Sequence, residues 1–291
     1  MGDKIALIDL HVHSAASDGS YAPAEVVRLA KEGGLSAFAL TDHDTVEGLP
    51  EAVAAGAKLG VEVIPGVEVR ARFPGGTMHI LGLAIDYTNG HLDERLAVLQ
   101  RARTERNPQI VAKLNALGIP ITMARVEAIS GGGQVGRPHI ARALLEAGYV
   151  DDLQEAFDKY LGWHRPAYVS KFRFPQEEAI AMIRDVQGVP VLAHPFTLGL
   201  GSALALRKLL VELKKAGLAG LEVFYSDHTP EQEALYLKLA RELGLLVTGG
   251  SDYHGANKPE IALGRMPCQA KLTYELLTAL KAWRRREYQV A

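Results

Sequence analysis

The chain has very little cysteine: Cys268 is the single one in 291 residues. One cysteine cannot form an intramolecular disulfide or a thiolate zinc finger, so a reducing compartment is favoured and Cys268 is interpreted as a small buried apolar side chain. The sequence also lacks any apolar run near the ~18–20 residues that a membrane-spanning helix needs, and the segment before Ile5 is too short for a signal peptide. We therefore expect a cytoplasmic protein that does not enter membranes.

An excess of charge of one sign is missing too, since 32 Lys and Arg face 34 Asp and Glu for a formal net charge of −2. This balance argues against a broad basic surface and against stable binding of duplex DNA, and no obligate protein partner is inferred. With 48% hydrophobic and 23% charged residues, the composition is that of an ordinary globular protein. Its length suits one large α/β domain or a domain with an insertion.

Seven short apolar runs have the character of buried parallel strands. They are Ile5–Leu10, Ala37–Thr41, Glu62–Val69, Thr77–Ile85, Val189–Ala193, Gly220–Phe224 and Leu245–Thr248. Helical patterns separate most of them; one begins at Pro23, one covers Thr45–Gly60, and one follows the capping box that starts at Thr229. The alternation predicts a parallel, barrel-like α/β sheet.

This alternation stops between about His91 and Tyr168, where helical periodicity is nearly continuous. The first helix, His91–Gly118, contains Pro108 and should kink or split there. Shorter helices are predicted at Arg137–Gly148 and Asp152–Leu161. We interpret residues 91–168 as a helical subdomain that covers the mouth of a barrel built from 1–90 and 169–291. Its arginines Arg95, Arg101, Arg103 and Arg106 are interpreted as a solvated helix face.

Residues of the kind that bind metals recur in short segments from one end of the chain to the other. His11 and His13 project from the same side of a strand and can hold one ion together. Most of the other candidates follow the carboxyl end of a predicted strand, where the active sites of parallel barrels lie, while His79 lies within the fourth strand. The whole set is His11, His13, Asp18, His43, Glu68, His79, His194, Asp252 and His254. Imidazoles and carboxylates suit Mn²⁺, Zn²⁺ or Fe²⁺, and so many ligands imply more than one ion.

Three further aspartates lie beside these ligands. We interpret Asp42 and Asp44 as groups that support the metal ligands or cap a helix, and not as ligands themselves. Asp44 is interpreted as the cap of the helix that starts at Thr45, and Asp9 is open to the same interpretations. His91, His164 and His228 are interpreted as structural or surface histidines.

In combination, the segments around His11-x-His13, Ser17-Asp18-Gly19, Thr41-Asp42-His43-Asp44, Gly66-Val67-Glu68 and Ser251-Asp252-Tyr253-His254 resemble the PHP (polymerase and histidinol phosphatase) family of metal-dependent phosphoesterases. The resemblance covers the whole chain and is strongest to members that act on 3′,5′-nucleotide bisphosphates or on the 5′ ends of short RNAs. It implies a distorted (β/α)7 barrel with an inserted helical subdomain, and three divalent ions, Mn²⁺ above all, with Zn²⁺ or Fe²⁺ as alternatives.

The resemblance also implies a role for each ligand. His11, His13, Glu68 and Asp252 would hold one ion; Glu68 would bridge to a second held by His79 and His194; and Asp18, His43 and His254 would hold the third. Such ions provide hydroxide at neutral pH and stabilise the charge of the reacting phosphate. Glu68, Asp252 and His254 are therefore the expected catalytic residues.

Substrate contacts are expected from the insertion and the segment just after it. Arg137-Pro138-His139 resembles a phosphate-contacting Arg-x-His segment, and Lys171 is a further candidate; the alternative is a solvated Arg137 with His139 as a surface cap. One departure from the nucleotide-acting members is Phe196-Thr197-Leu198-Gly199, where they have a Gly-Arg-Tyr sequence. A phosphate or leaving-group contact is then missing or supplied by another residue.

The favoured function is hydrolysis of nucleotide phosphate esters, with a small nucleotide phosphate or short RNA as the substrate. The alternatives are a phosphatase of another metabolite, such as histidinol phosphate, and a catalytically silent module that binds nucleic acid or a protein partner. A metal-dependent amidohydrolase would also use His-x-His, but by resemblance its fourth strand often carries a lysine where this chain has His79.

Overall fold

The computed structural model describes residues 6–290, and within them seven β-strands and ten α-helices follow one another. The strands are β1 (Leu7–Val12), β2 (Leu35–Leu40), β3 (Glu62–Ala71), β4 (Met78–Leu83), β5 (Val189–Leu192), β6 (Gly220–Tyr225) and β7 (Leu246–Gly250). The helices are α1 (Pro23–Glu32), α2 (Leu49–Leu59), α3 (Gly90–Ala116), α4 (Met123–Ser130), α5 (Arg137–Glu146), α6 (Leu153–Ala156), α7 (Gln176–Asp185), α8 (Ala203–Lys215), α9 (Pro230–Leu243) and α10 (Tyr274–Tyr288).

The seven strands form one sheet in the order β1-β2-β3-β4-β5-β6-β7, nearly closed into a barrel. The prediction of a parallel sheet is wrong for the fourth strand, since β4 pairs antiparallel with both β3 and β5. The reason is the connection between β3 and β4, which is residues 72–77 and is too short for the crossover that parallel neighbours need. The expected distortion of the barrel is confirmed, and it consists of the antiparallel strand β4 in a sheet whose other neighbouring strands are parallel.

The two ends of the sheet approach each other just beyond β1 and β7. The amide of Asp252 donates to the carbonyl of His11 at 2.8 Å, and the amide of His13 donates to the carbonyl of Tyr253 at 2.9 Å. Gly250 is required here, because a Cβ at that position would lie 2.4 Å from the Cβ of His11. The closure thus brings the first and last predicted ligand segments side by side.

All seven predicted strands are present, although Ile5, the first residue of the first prediction, lies outside the described residues. The capping box at Thr229 is confirmed, with Gln232 closing it. One helix prediction is wrong in detail, since α2 begins at Leu49 and not at Thr45. Helix α3 runs through Pro108 without splitting, and a kink there stays a prediction.

The helices between β4 and β5 have an apolar cluster of their own. The first half of α3, with Leu92, Leu96 and Leu99, packs in the core of the barrel, whereas Ile110 and Leu114 in its second half belong to the separate cluster. This separation supports the division into a barrel and a 91–168 insertion, which stays a prediction. Among the described helices, none has the length and apolarity needed to cross a membrane.

Candidate metal centre

The buried carboxylate of Glu68, on β3, lies at the centre of five imidazoles. One oxygen, Oε1, is 2.6 Å from Nδ1 of His79 and 3.0 Å from Nε2 of His194. The other, Oε2, is 3.3 Å from Nε2 of His11, 3.2 Å from Nε2 of His13 and 3.0 Å from Nδ1 of His43. A carboxylate with both oxygens surrounded in this way has the geometry of a group that bridges two cations.

Asp252 and Asp18 close the cluster on the side of the last strand. Asp252 Oδ1 is 3.3 Å from His11 Nε2 and 3.1 Å from His13 Nε2. Asp18 Oδ1 is 3.2 Å from His254 Nε2, and its Oδ2 is 3.8 Å from His43 Nε2. The structure therefore brings all nine sequence-predicted ligand side chains close together, and we call this group the histidine–carboxylate cluster.

Within this cluster, three sets of side chains have ligand atoms that all lie within 4.8 Å of one another and could each hold an ion. They are His13, Asp18, His43 and His254; His11, His13, Glu68 and Asp252; and His43, Glu68 and His79. His194 is outside the three sets, but its Nε2 is 3.2 Å from Nδ1 of His79.

The polar atoms of the cluster are left unsatisfied by the protein. Nε2 of His11, both ring nitrogens of His13 and Oε2 of Glu68 are buried and find no hydrogen-bond partner among the described residues. Buried polar groups without partners are costly, and divalent cations would satisfy the atoms among them that carry a free lone pair, which excludes the protonated ring nitrogen of His13. The residues present thus fit a metal centre made of nitrogen and oxygen ligands.

The proton affinities of two ligands, Glu68 and His79, suit metal binding, whereas those of three others do not. Burial alone would lower the pKa of His11, His13 and His43, but the carboxylates around these imidazoles raise it. Burial alone would raise the pKa of Glu68, but the imidazoles of His79, His43 and His11 lower it well below its usual value. Burial lowers the pKa of His79 to about 3, with Glu68 opposing the shift. At neutral pH Glu68 is then ionised and His79 is neutral, which are the forms that bind cations.

Three residues outside the cluster contact its ligands and hold them in place, and sequence reasoning missed all three. Glu222, on β6, accepts from Nδ1 of His11 at 2.9 Å and from the amide of His194 at 2.7 Å. Tyr225 donates to Asp252 Oδ2 at 2.7 Å, and Lys258 lies 2.5 Å from the same oxygen. Such partners fix the ring orientation and the charge of metal ligands. Glu222 could have been recognised from the sequence as a candidate site residue, because it is a carboxylate inside an otherwise apolar predicted strand.

The neighbouring aspartates support the loops that carry the ligands. Asp42 accepts from the amide and hydroxyl of Ser14 at 2.8 and 2.6 Å and from the hydroxyl of Ser17 at 2.6 Å. Asp9 accepts from the amide of Ser251 at 2.9 Å. Their interpretation as supporting groups fits these contacts.

The capping role predicted for Asp44 is wrong. Its backbone has a positive φ of 55°, the cap position of α2 is Gly48, and its buried carboxylate lies 2.5 Å from Arg103 and 2.9 Å from Lys171. His194 and Asp252 also have positive φ, 24° and 54°. Non-glycine residues in this region store strain, which clusters at functional sites.

The solvated helix face predicted for α3 is wrong at two positions. Arg101 is exposed, but Arg103 and Arg106 are buried and, with Arg70, Arg137 and Lys171, line a cavity of about 250 Å³. Asp18, His43 and His79 of the histidine–carboxylate cluster line the same cavity, which we call the arginine pocket. Two signals were available: Arg103 and Arg106 continue the apolar spacing of Leu92, Leu96 and Leu99, and Arg70 shares a strand face with Glu68.

The arginine pocket has more positive than negative charge. Among the described residues, neither Arg70, Arg106 nor Arg137 pairs with a carboxylate; Arg70 donates to the Thr77 hydroxyl and Arg137 to the carbonyl of Leu161. Burial and neighbouring arginines lower the pKa of Arg106 to about 9, and burial lowers that of Arg137 to about 10. Both side chains stay charged at neutral pH, so the pocket is suited to an anion.

His139 is less directly placed. It is buried, and its Nδ1 accepts from the amide of Gly136 at 2.9 Å, so it does cap the turn but not at the surface. Burial lowers the pKa of His139, and the nearby carboxylate of Asp18 opposes this shift.

His228 makes a structural contact through one of its ring nitrogens, since Nδ1 donates to the carbonyl of Val223 at 2.8 Å.

The comparisons with known proteins agree with this site. The model of the PHP domain matches residues 9–166. The chain is 36% identical over 251 residues to the 3′,5′-nucleoside bisphosphate phosphatase of Chromobacterium violaceum, covering 86% of this chain and 88% of that protein. It is 35% identical over 246 residues to a 5′-3′ exoribonuclease of Haemophilus influenzae, covering 84% and 89%.

A solved structure supports the same assignment. A Chromobacterium violaceum protein named an amidohydrolase, with bound sulfate and no metal, superposes with a TM-score of 0.87 at 33% identity and covers 95% of this chain and 96% of its own. The match of the family model over more than half of the chain, the two relatives and this superposition lead to one conclusion: the chain belongs to the PHP domain family.

Proposed function

We propose that this protein is a metal-dependent phosphoesterase that hydrolyses phosphate esters of nucleotides. The observation that carries the proposal is a cluster of nine metal-type side chains beside a pocket of four arginines, three of which pair with no carboxylate among the described residues. The names of the two relatives, a nucleoside bisphosphate phosphatase and an exoribonuclease, support the same substrate class. A neutral amide substrate would form no ion pair with the arginine pocket.

Three divalent ions, with Mn²⁺ as our first choice, fit the cluster. We assign His11, His13, Glu68 and Asp252 to one ion; Glu68, His79 and His194 to a second; and Asp18, His43 and His254 to the third. When bound, such ions supply an activated water and positive charge beside the reacting phosphate. The protein itself fixes the ligands, because Glu222 and Tyr225 hold His11 and Asp252 from behind.

The arginine pocket would bind the phosphate group that is not cleaved. Arg137 offers a planar fork for phosphate oxygens, and Arg70 and Arg106 lie around the same cavity. Lys171 adds a cation at the bottom, where Asp44 holds it. His139 is assigned to the same role through its second ring nitrogen. A substrate with two phosphates could then occupy both sites at once.

The test is a phosphate-release screen with Mn²⁺ over nucleoside monophosphates, 3′,5′-bisphosphates, short 5′-phosphorylated RNAs, sugar phosphates and histidinol phosphate. Loss of one charge-assisted contact costs ~1.5–3 kcal/mol, so Arg137→Ala should lower kcat/KM on a bisphosphate by roughly ten- to a hundredfold and far less on a monophosphate ester. Arg101→Ala, on the exposed side of α3, is the control. Equal losses on both substrates, or a preference for histidinol phosphate over every nucleotide, would contradict the proposal.

A further inference from the structure

A second cavity adjoins the arginine pocket. It has a volume of about 290 Å³ and shares Arg70, Thr77, Arg137 and Phe157 with the arginine pocket. None of the nine metal-type side chains is among the residues that line it. The two cavities are therefore neighbours, and Arg137 lies in the wall between them.

The lining of this second cavity is aromatic, and we call it the aromatic cleft. Phe73, from the connection between β3 and β4, faces it from one side, and Phe157, Trp163 and Tyr168, from the end of the insertion, face it from the other. The Trp163 ring meets Tyr168 edge-on, with centroids 5.0 Å apart, and 58% of the Trp163 surface stays exposed. A large aromatic side chain left this open beside a cavity suits a stacked ligand.

The cationic groups of the cleft are held by the same aromatic side chains. The guanidinium of Arg137 lies 5.5 Å from the centroid of Phe157 and 6.0 Å from that of Tyr168, and Arg173 lies 3.4 Å from the Tyr168 hydroxyl. An occupant must therefore combine an anionic part, next to Arg137, with a flat aromatic part. A nucleotide has both, because its base and its 5′-phosphate are carried on the same face of one ribose ring.

We propose that the aromatic cleft is a nucleobase subsite, which requires the base of the substrate to stack on Trp163 while its uncleaved phosphate lies in the arginine pocket. This inference rests on the proposed function and adds a specificity rule to it. Stacking uses the π-face that all bases share, so the subsite accepts any of the four bases and discriminates against sugar phosphates that carry none.

The test compares adenosine 3′,5′-bisphosphate with the same bisphosphate in which hydrogen replaces the base. Trp163→Ala should lower kcat/KM on the nucleotide by roughly five- to a hundredfold, the range of one base stack, and leave the abasic compound unchanged. Tyr149→Ala removes an exposed aromatic of the insertion that does not line the cleft and should change neither. Equal activity of wild-type protein on both compounds, with no effect of Trp163→Ala, would overturn the subsite alone; no activity on either would overturn the proposed function.

A binding measurement gives an independent readout. The chain has two tryptophans, so Trp283→Phe leaves Trp163 as the sole tryptophan reporter. Its fluorescence in the metal-loaded protein should be quenched by a non-hydrolysable phosphonate analogue of the nucleotide and not by the abasic analogue. Binding of both analogues without a difference in quenching would show that the base lies elsewhere and would overturn the proposal.

Discussion

Replacing Glu68 with glutamine should separate metal binding from folding. Both oxygens of Glu68 face imidazole nitrogens at 2.6–3.3 Å, and glutamine keeps the shape while offering one oxygen, one NH₂ group and no charge. One of the two ions it is assigned to bridge must then lose its ligand atom from this residue, and the other keeps only a neutral amide oxygen. We expect Glu68→Gln to lose bound ions and to lower turnover by orders of magnitude, while the metal-free protein stays folded.

The magnitude follows from the burial of the cluster. Removing one member of a buried charged pair costs about 3–5 kcal/mol, which corresponds to roughly two to four orders of magnitude in ion affinity. An ion at a hundred times its Kd raises the free energy of unfolding by about 2.7 kcal/mol. If the affinity falls a hundredfold, the same ion concentration contributes only about 0.4 kcal/mol. The stabilisation by metal should therefore nearly disappear in the variant.

The assay is thermal unfolding in EDTA and in Mn²⁺, together with elemental analysis and phosphate release. Wild-type Tm should rise by roughly 5–10 °C on adding Mn²⁺, and that of Glu68→Gln by about 1 °C. Glu233→Gln is the matched control, because Glu233 is a buried glutamate that pairs with Lys271 outside the cluster. A Glu68→Gln protein with the wild-type ion content, Tm response and turnover would refute the bridging role.

Two further predictions concern groups around the cluster. Glu222→Gln should weaken ion affinity by roughly ten- to a hundredfold, which is less than the loss expected for Glu68→Gln, because Glu222 acts by orienting His11. Metal titration measures this affinity. A loss equal to that of Glu68→Gln would contradict the role of Glu222 as a group that only orients a ligand. Burial lowers the pKa of Lys171 to about 7, with Asp44 opposing the shift, so Lys171 is charged below that pH and neutral above it. KM for a 3′,5′-bisphosphate should therefore rise between pH 6 and 8, and Lys171→Arg should flatten this rise; identical pH profiles would remove Lys171 from phosphate binding.

The ligand segments could be found in the sequence because their spacing carries local information. His11 and His13 must share a strand face, and a polar residue directly after a buried strand has to lie at the sheet edge. The strands were found for the same reason, since short apolar runs between helical patterns have few other interpretations. The direction of β4 was missed because it depends on the length of one connection, residues 72–77, and not on the strand itself.

The arginine pocket could not be predicted from the sequence, because it depends on tertiary packing. Arg103 and Arg106 occupy positions of an apolar stripe, and by sequence alone a charged residue on a helix is assigned to solvent, because burial of an arginine is rare without a partner. The surroundings come from distant parts of the chain: Asp44, which pairs with Arg103, follows β2, and Arg70, which lines the same pocket, lies on β3. The spacing of residues along one helix or strand reveals which face each residue occupies. Which residues that face contacts depends on how the helices and strands pack together. The arginine pocket and the aromatic cleft are formed only by that packing.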